Sequence, residues 1–327
     1  MKIISNKIDC SVVASVYNEE ECLMMFYQSL SKTLVSLHIN YEIIFVNDGS
    51  SDNSLLLLQA IASEDTNVRV INFSRNFGHE AAMLAGIDYA GGEVLVCMDS
   101  DLQHPPEMIP KMLQKHAEGF DIVNMVRTFR KDAGLIQRIN SKLFYKFINS
   151  ISSVKLAENA SDFFLISRKI CKILHNNFRE RTRFLRGIIQ LVGFPKATLE
   201  YVAPKRAAGK SKYSFWKLLK LSFTAVSSFS KIPLQLGIIT GLIFSIISIF
   251  LILFSFVMWI LDKTIPGYTT LIIFMSAFAG IQLFVIGLIG QYISYIFDEV
   301  KGRPVYIVNE FYNFDNNIDI DNNVKEL

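Results

Sequence analysis

The sequence contains few of the short motifs that mark common cofactor and zinc sites. No Gly-x-Gly-x-x-Gly follows the first apolar segment, so the fingerprint of dinucleotide-binding domains is missing. His79-Glu80 is followed by Met83, where a zinc-protease motif needs a second histidine. Cysteines are sparse and form no Cys-x-x-Cys pair, which argues against a disulfide framework or a zinc site and is typical of a reducing compartment. They are Cys10, Cys22, Cys97 and Cys171.

Charged side chains are missing from two long segments near the C-terminus. Residues 232–261 and residues 264–297 contain no Asp, Glu, Lys or Arg, and only Asp262 and Lys263 separate them. Each segment exceeds the roughly 20 apolar residues that a helix needs to cross a bilayer. Buried core helices of soluble proteins rarely extend this far without a charge. The two segments therefore predict a transmembrane helix hairpin over residues 232–297.

The basic residues around this hairpin predict its orientation. Lys231 precedes the first segment, and Lys301 and Arg303 follow the second, whereas the connecting loop has one basic and one acidic residue. The positive-inside rule then places the large N-terminal part and the C-terminus in the cytoplasm. Residues 213–231 have the pattern of an amphipathic helix on the membrane surface, and residues 298–327 are expected to form a partly disordered cytoplasmic tail. Two spans per chain also favour lateral association into a homo-oligomer.

The net charge of +3 hides two strongly basic segments. Residues 127–146 contain six basic residues and one acid, and residues 179–220 contain eleven basic residues and two acids. Such segments can contact anionic lipid headgroups or bind phosphate groups of a substrate. No nucleic-acid-binding motif accompanies them, and they adjoin the predicted membrane spans. We therefore expect no nucleic-acid partner.

Apolar, β-prone segments alternate with helical patterns in the N-terminal part of the chain. This alternation predicts an α/β fold whose sheet is mainly parallel and covered by helices on both faces. Polar residues cluster just after the ends of these strands, where open α/β sheets bind their ligands. The predicted strands cover residues 10–16, 41–46, 68–73 and 93–98.

Two carboxylates stand at the end of the fourth predicted strand. Asp99 and Asp101 are one residue apart, so side-chain alternation in a strand can direct both to the same side. Paired carboxylates can hold a hard divalent cation, and that cation can in turn hold a diphosphate. The pair predicts a metal site.

Several stretches in order along the chain resemble family 2 glycosyltransferases with a GT-A nucleotide-diphospho-sugar-binding domain. Within that family, the chain resembles the polyprenyl-phosphate glycosyltransferases that carry a membrane-helix hairpin, and among these the bactoprenol glucosyltransferases of O-antigen glucosylation. The matching stretches are Val-Tyr-Asn-Glu-Glu (16–20), Val-Asn-Asp-Gly-Ser-Ser-Asp (46–52), Ser-Arg-Asn-Phe-Gly-His (74–79), Met-Asp-Ser-Asp-Leu-Gln-His-Pro-Pro (98–106), Ser-Asp-Phe (161–163), Arg-Ala-Ala-Gly-Lys-Ser-Lys-Tyr (206–213), Gly-Gln-Tyr-Ile (290–293) and Glu-Val-Lys-Gly-Arg-Pro (299–304).

The resemblance implies roles for individual positions, with residues 1–212 as the catalytic domain. Nucleotide-sugar contacts fall on Tyr17, Asn18, Glu19, Asp48, Asp99 and Ser100, with Asp48 at the uracil edge. Ligands of Mg²⁺ or Mn²⁺ fall on Asp99, Asp101 and Gln103. Contacts to the lipid phosphate fall on Arg127, Arg138 and Ser141, and a phosphate-closing loop carries Arg206, Lys210 and Lys212. Catalytic roles fall on Asp101 and Asp162, the latter near the sugar and acceptor.

The reaction implied by the resemblance is transfer of a hexose, glucose first among the candidates, from a UDP-sugar to undecaprenyl phosphate with inversion, at the cytoplasmic face of the bacterial inner membrane. UDP-N-acetylglucosamine, a UDP-aminoarabinose or GDP-mannose stay open as donors. A transporter or flippase with a nucleotide-sensing domain is the alternative from another class, although neither span carries an ionisable residue of the kind that transport paths usually need. The chain departs from the family pattern at Ser15, where many relatives have proline, and at Gln190, where a nearby tryptophan is common. The difference at Gln190 leaves the identity of the transferred sugar open.

Overall fold

The computed structural model describes residues 7–128, 160–181, 185–202, 204, 232–261 and 267–314. The described residues up to 204 and from Arg303 onward form one compact unit, and those from Ile232 to Gly302 form a second. Parts of the prediction lie outside the described residues: the surface helix at 213–231, the Asn- and Asp-rich end of the tail, and five candidate site residues. Those five are Arg138, Ser141, Arg206, Lys210 and Lys212.

The described strands of the first unit form one sheet in the order β7-β5-β6-β4-β1-β2-β3-β8. The central strands β3, β2, β1 and β4 are mutually parallel, and β7 is parallel to β5. Strand β6 runs antiparallel between β4 and β5, and β8 runs antiparallel to β3. The mainly parallel α/β sheet expected from the sequence is confirmed. The strands are β1 Cys10–Val16, β2 Tyr41–Asn47, β3 Val68–Phe73, β4 Val94–Asp99, β5 Ile122–Arg127, β6 Ala160–Ser167, β7 Lys196–Tyr201 and β8 Val308–Tyr312.

Helices cover both faces of this sheet, because its central strands are apolar on both sides. On one face, Val12 and Ala14 of β1 join the main core with Phe26. On the other face, the third helix lies so close to β1 that a Cβ on Gly86 would fall on Val13. The helices are α1 Leu23–Ser36, α2 Ser54–Glu64, α3 His79–Tyr89, α4 Ile109–Ala117, α5 Arg168–Asn177 and α6 Leu185–Leu191, with a 3-10 turn at Pro106–Met108 before α4.

The strand order reverses its direction of growth at β1. The chain adds β2 and β3 on one side of β1 and then returns to place β4 on the other side. A crevice forms at such a switch point, beyond the carboxyl ends of the strands, because the connections leave it in opposite directions. The loops that follow β1, β2 and β4 therefore lie around this crevice, as does the start of α3.

The second unit contains two long helices, α7 Ile232–Ile260 and α8 Tyr268–Val300, which pack antiparallel. Phe244 contacts Phe278 with ring centroids 4.9 Å apart. Two turns earlier in α7, Gly237 lies against Val285 of α8. On length and composition, both helices could cross a membrane, over Gly241–Met258 and Ala277–Val300. Their positions agree with the two uncharged segments of the sequence.

The segment after α8 belongs in part to the sheet. Residues 298–327 were expected to form a tail, and within them β8 pairs with β3, from Val70 opposite Tyr312 to Phe73 opposite Val308. The helix pair therefore stands in the chain between the two edge strands of one sheet, β7 and β8.

Candidate active site

Charged side chains meet at the carboxyl ends of β1 and β4, beside β6. The parallel register pairs Ser15 of β1 with Asp99 of β4. The antiparallel register pairs Cys97 of β4 with Phe164 of β6, which brings Asp162 level with Asp99. This is the crevice at the switch point, so the sheet topology itself collects the acidic residues at one place.

His79, the first residue of α3, connects three of these strand ends. Its Nδ1 lies 2.7 Å from Ser15 Oγ, and its Nε2 lies 3.5 Å from both Asp99 Oδ1 and Asp162 Oδ2. Burial on its own lowers the pKa of His79, but the hydrogen bond to Asp162 and the charges of Asp99 and Asp162 raise it to about 9. The imidazole is therefore protonated at neutral pH and offsets the repulsion between the two carboxylates.

Asp162 forms a two-pronged ion pair with Arg186 of α6. Arg186 Nε donates to Oδ1, and its terminal nitrogen donates to Oδ2 at 2.6 Å. Burial raises the pKa of Asp162, but Arg186 and His79 outweigh it and hold that pKa well below the usual range. The neighbouring Glu80 accepts the Leu185 N–H at 2.9 Å. These contacts fix the start of α6 against the start of α3.

A second chain of contacts leads from Asp101 to Arg127. Strand β4 ends at Asp99, and the chain turns at Leu102, whose φ is 63°. The turn, and not strand alternation, therefore sets the position of Asp101. Its carboxylate accepts the Gln103 N–H at 3.1 Å and the Gln103 Nε2 at 2.8 Å, and Gln103 Oε1 accepts Arg127 at 3.0 Å. The structure thus brings a predicted lipid-phosphate residue beside predicted metal ligands.

His104 stabilises the same turn and lies between Asp99 and Phe163. Its Nδ1 accepts the Asp99 N–H at 2.8 Å, and its ring stacks on Phe163 with centroids 5.1 Å apart. Burial lowers the pKa of His104 despite the surrounding carboxylates. A neutral ring that accepts at Nδ1 carries its proton on Nε2, which lies 3.6 Å from Asp99 Oδ2. His104 therefore holds Asp99 in place from two directions.

The predicted nucleoside residues after β1 are tied to the loop after β2. Asn18 has a φ of 55°, and its Oδ1 accepts the Ser51 N–H at 2.8 Å. The Glu19 N–H donates to Ser54 Oγ at 3.0 Å. Tyr17 remains exposed beside them. The two loops are hydrogen-bonded to each other and together form one rim of the crevice.

Two predicted nucleotide contacts point into the protein. Ser100 is buried and donates through Oγ to the Ser15 carbonyl at 2.8 Å. The Asp48 carboxylate is buried and accepts the N–H groups of Phe77, at 2.6 Å, and Gly78, at 3.0 Å. Burial raises the pKa of Asp48 above its usual value, because it outweighs the two N–H groups, which lower that pKa. Asp48 therefore orients the loop between β3 and α3, and its contact with uracil stays a prediction.

Gly49 allows the loop between β3 and α3 to pack closely against the loop after β2. Its φ is +65°, and a Cβ there would lie 2.5 Å from the Arg75 carbonyl carbon. Gly119 is the matched control, because its φ is also positive but a Cβ there would meet nothing within 4 Å. We expect Gly119→Ala to cost about 1 kcal/mol for its backbone conformation, and Gly49→Ala to cost roughly 1–3 kcal/mol more from overpacking. Equal falls in the thermal unfolding midpoint of the two variants would contradict this account.

The donor set at the end of β4 suits a hard divalent cation. Asp99 and Asp101 supply carboxylate oxygens, the ligands that Mg²⁺ and Mn²⁺ prefer. Within the described part of the chain, no group of three His, Cys, Asp or Glu side chains is arranged to hold a metal alone. Mg²⁺ is commonly held by one or two carboxylates together with substrate phosphates, so the residues present fit an ion shared with a diphosphate. Gln103 presents its oxygen to Arg127 instead, so its ligand role stays a prediction.

His79 and Arg186 contact the predicted carboxylates but are not among the predicted site residues. His79 ends the stretch Ser-Arg-Asn-Phe-Gly-His, which is part of the family resemblance, but the stretch itself does not indicate what His79 contacts. Arg186 lies in the second basic segment, where nothing local distinguishes it from its neighbours. The structure brings together Asp99, Asp101, Gln103, Arg127 and Asp162.

Comparison with known proteins identifies the class. The sequence profile of glycosyl transferase family 2 matches residues 11–174, and the chain belongs to that family. Its unit with the mainly parallel sheet is the expected GT-A fold.

Relatives match along nearly the whole chain. The uncharacterized glycosyltransferase YkcC of Bacillus subtilis is 40% identical over 96% of this chain and 97% of its own length. The SfII prophage-derived bactoprenol glucosyl transferase of Shigella flexneri is 37% identical over 92% of this chain and 97% of its own length. Among solved structures, the mannosyltransferase PcManGT of Pyrobaculum calidifontis, in complex with GDP-Man and Mn²⁺, gives a TM-score of 0.46 at 14% identity, over 65% of this chain and 61% of that one.

Proposed function

We propose that this glycosyltransferase moves a hexose, glucose first, from a UDP-sugar to a polyprenyl phosphate such as undecaprenyl phosphate. The observation that carries the proposal is a pair of neighbouring clusters at the switch point. Asp99 lies with Asp162 around His79, and Asp101, two residues further on, is joined through Gln103 to Arg127. The name of the Shigella relative supplies the lipid and the sugar. The two apolar helices fit an acceptor that resides in a membrane.

The reaction is a single displacement that inverts the anomeric centre. An oxygen of the acceptor phosphate forms a bond to the anomeric carbon, and the bond from that carbon to the diphosphate oxygen breaks with its electron pair leaving on UDP. A phosphate monoester is largely ionised at neutral pH, because its second pKa is near 6. No proton has to be removed from the acceptor, so positioning and charge neutralisation supply most of the rate.

The described residues divide this work between donor and acceptor. Asp99 and Asp101 would hold Mg²⁺ or Mn²⁺, which supplies charge neutralisation at the leaving diphosphate when it is bound. Tyr17, Asn18 and Asp48 would contact the nucleoside. Arg127 would hold the acceptor phosphate, since a guanidinium can bind two phosphate oxygens at once.

Asp162 would act beside the sugar as a fixed negative charge. Its ion pair with Arg186 and its proximity to His79 keep it ionised. A carboxylate held in this way has little affinity for a proton, so it suits the positioning of substrate groups better than proton removal. An acceptor phosphate that is already ionised also needs positioning and no proton removal.

The site of action we propose is the cytoplasmic face of the bacterial inner membrane, with the catalytic unit and both termini in the cytoplasm. Lys231, Lys301 and Arg303 flank the two apolar helices and support this orientation. Copies of the chain would associate through these helices.

The direct test supplies the full chain, in detergent, with undecaprenyl phosphate, Mn²⁺ and a panel of radiolabelled nucleotide sugars. We expect UDP-glucose to give a labelled product that partitions into organic solvent, and chelation of the metal to abolish it. Another sugar nucleotide as the preferred donor would revise the proposed donor and leave the proposed acceptor unchanged. Absence of a lipid-soluble product from every donor would overturn the proposed acceptor.

Replacement of Arg127 tests the acceptor side. We expect Arg127→Gln to raise the KM for polyprenyl phosphate about tenfold, because a charged bidentate contact is lost, while the donor KM changes little. Lys111→Gln removes an exposed positive charge from α4 and serves as the control for general attraction to anionic lipid. An unchanged acceptor KM in Arg127→Gln, or the same rise in both variants, would count against the assignment.

A further inference from the structure

The segment after α8 rests against the loop that orients Asp48. Strand β8 pairs with β3 up to Phe73 opposite Val308, and the Ser74 N–H then donates to the Ile307 carbonyl at 3.0 Å. The pairing therefore continues past the end of β3 into the loop of residues 74–78. A segment that follows the helix pair in the chain thus borders the rim of the crevice.

Tyr306 is the buried anchor of this segment, with 8% of its surface exposed. Its ring stacks on Phe73 with centroids 5.2 Å apart and planes at 10°. Its hydroxyl donates to Asp88 Oδ2 at 2.7 Å. Burial and the nearby Asp88 raise the pKa of Tyr306 well above its usual value, so the phenol keeps the proton that it donates.

Asp88 collects further contacts at the far end of α3. Its carboxylate is 4% exposed and accepts Arg179 at 2.8 and 2.9 Å, together with His175 at 2.8 Å. Helix α3 is therefore held at its start by the active-site contacts of His79 and near its end by Asp88. Tyr306 is the member of this second group that comes from the C-terminal segment.

The contacts continue from Tyr306 to the donor side of the crevice. Phe73, on which Tyr306 stacks, also contacts Phe77 with ring centroids 5.7 Å apart. The N–H groups of Phe77 and Gly78 are the donors to the buried Asp48 carboxylate. The order of contact is Tyr306, Phe73, the loop, and Asp48.

We propose that Tyr306 is a positioning residue for the donor nucleotide: it holds the loop of residues 74–78, and through it Asp48, in the geometry that binds the nucleoside. This role rests on the proposed function, since it takes Asp48 as a nucleoside contact. It also gives the segment after α8 a task in the catalytic unit. A chain cut before α7 would lack Tyr306 and β8 even though it kept the predicted catalytic residues.

The test compares Tyr306→Ala, Tyr306→Phe and Tyr312→Ala in the full chain. Tyr306→Phe retains the ring on Phe73 and removes only the hydroxyl. Tyr312→Ala is the matched control, because it removes a second tyrosine of the segment after α8. Tyr312 lies in β8 opposite Val70, at the end of the strand away from the loop, and bonds to Gln59. UDP affinity is measured by calorimetry, turnover at saturating and limiting donor, and folding by the thermal unfolding midpoint.

We expect Tyr306→Ala to weaken UDP binding about tenfold, through loss of an aromatic contact and a hydrogen bond, and Tyr306→Phe to weaken it about threefold. The donor KM should rise in step while kcat at saturating donor and the acceptor KM stay close to those of the parent chain. Tyr312→Ala should lower the unfolding midpoint without changing UDP affinity. Wild-type UDP affinity in Tyr306→Ala, or equal losses in Tyr306→Ala and Tyr312→Ala, would overturn the proposal.

Amide hydrogen exchange tests the proposal in the absence of a donor nucleotide. In Tyr306→Ala the amides of Phe77 and Gly78 should exchange about tenfold faster, because their bonds to Asp48 open more often, whereas the amides of β1 should be unchanged. In Tyr312→Ala the loop amides should keep their parent rates. If the parent chain binds no UDP, the proposed donor fails, and loop amides that exchange at the same rate in both alanine variants would overturn the role of Tyr306 separately.

Discussion

Asp101→Asn is expected to lower kcat/KM by at least about 10³-fold, equivalent to roughly 4 kcal/mol of transition-state stabilisation. The substitution keeps the size of the side chain and an oxygen that can accept the Gln103 N–H. It removes the negative charge that a divalent ion needs when it neutralises the leaving diphosphate. The fold of the turn should therefore survive while the metal-dependent reaction is lost.

The measurement is turnover against the concentration of Mn²⁺, with the unfolding midpoint recorded in parallel. Glu107→Gln is the control, since it removes an exposed carboxylate from the 3-10 turn of the same connection between β4 and α4. That variant should keep parent activity and the parent dependence on Mn²⁺. Activity of Asp101→Asn within tenfold of the parent chain would refute the metal role of Asp101.

The parallel core and the edge that carries the site could be predicted because both depend on local sequence. Apolar segments such as residues 10–16 and 93–98 end in polar clusters, and parallel strands bring such ends to one edge. The position of Asp99 and Asp101 directly after residues 93–98 is enough to predict them at that edge. The uncharged segments at 232–261 and 264–297 are equally local signals, and α7 and α8 occupy them.

Other features depend on pairing between distant segments, which local patterns do not encode. Nothing in the pattern of Ala160–Ser167 states that β6 runs antiparallel between β4 and β5, yet this direction places Asp162 beside Asp99. Strand β8 is short and contains Asn309 and Glu310, so its own residues predict a strand only weakly. Its partner β3 lies more than two hundred residues earlier in the chain, as the pairing of Val70 with Tyr312 shows.

The roles of polar residues were hardest to foresee, because one motif residue can serve the fold and the ligand together. Asp48 was predicted as a uracil contact, and its carboxylate holds Phe77 and Gly78. A carboxylate has about four acceptor positions, so these two donors leave room for a third. Ser15, noted in the sequence as a departure from the proline of many relatives, supplies the hydroxyl that meets His79. Such pairings follow from register and are absent from any single stretch.

Asp162→Asn is expected to lower kcat by about 10²–10³-fold with a smaller effect on UDP affinity. The carboxylate lies level with Asp99 at the reacting edge and carries the negative charge between Arg186 and His79. The amide keeps the shape but leaves two cations facing a neutral group, and loss of one partner from a buried pair also costs about 3–5 kcal/mol of stability. The unfolding midpoint should therefore fall together with kcat.

A double-mutant cycle with Arg186→Gln separates the two possible sources of that loss. If Asp162 served only to anchor Arg186, either single variant and the double variant would lose kcat equally, because each removes the same contact. If Asp162 acts on the substrates, Asp162→Asn loses more than Arg186→Gln, and the double variant follows the Asp162 loss. We expect the second pattern, since Asp162 also lies 3.5 Å from His79, which reaches Asp99. A kcat for Asp162→Asn within about threefold of the parent value would exclude any catalytic part for this carboxylate, because a group acting on the reacting centre contributes more than that.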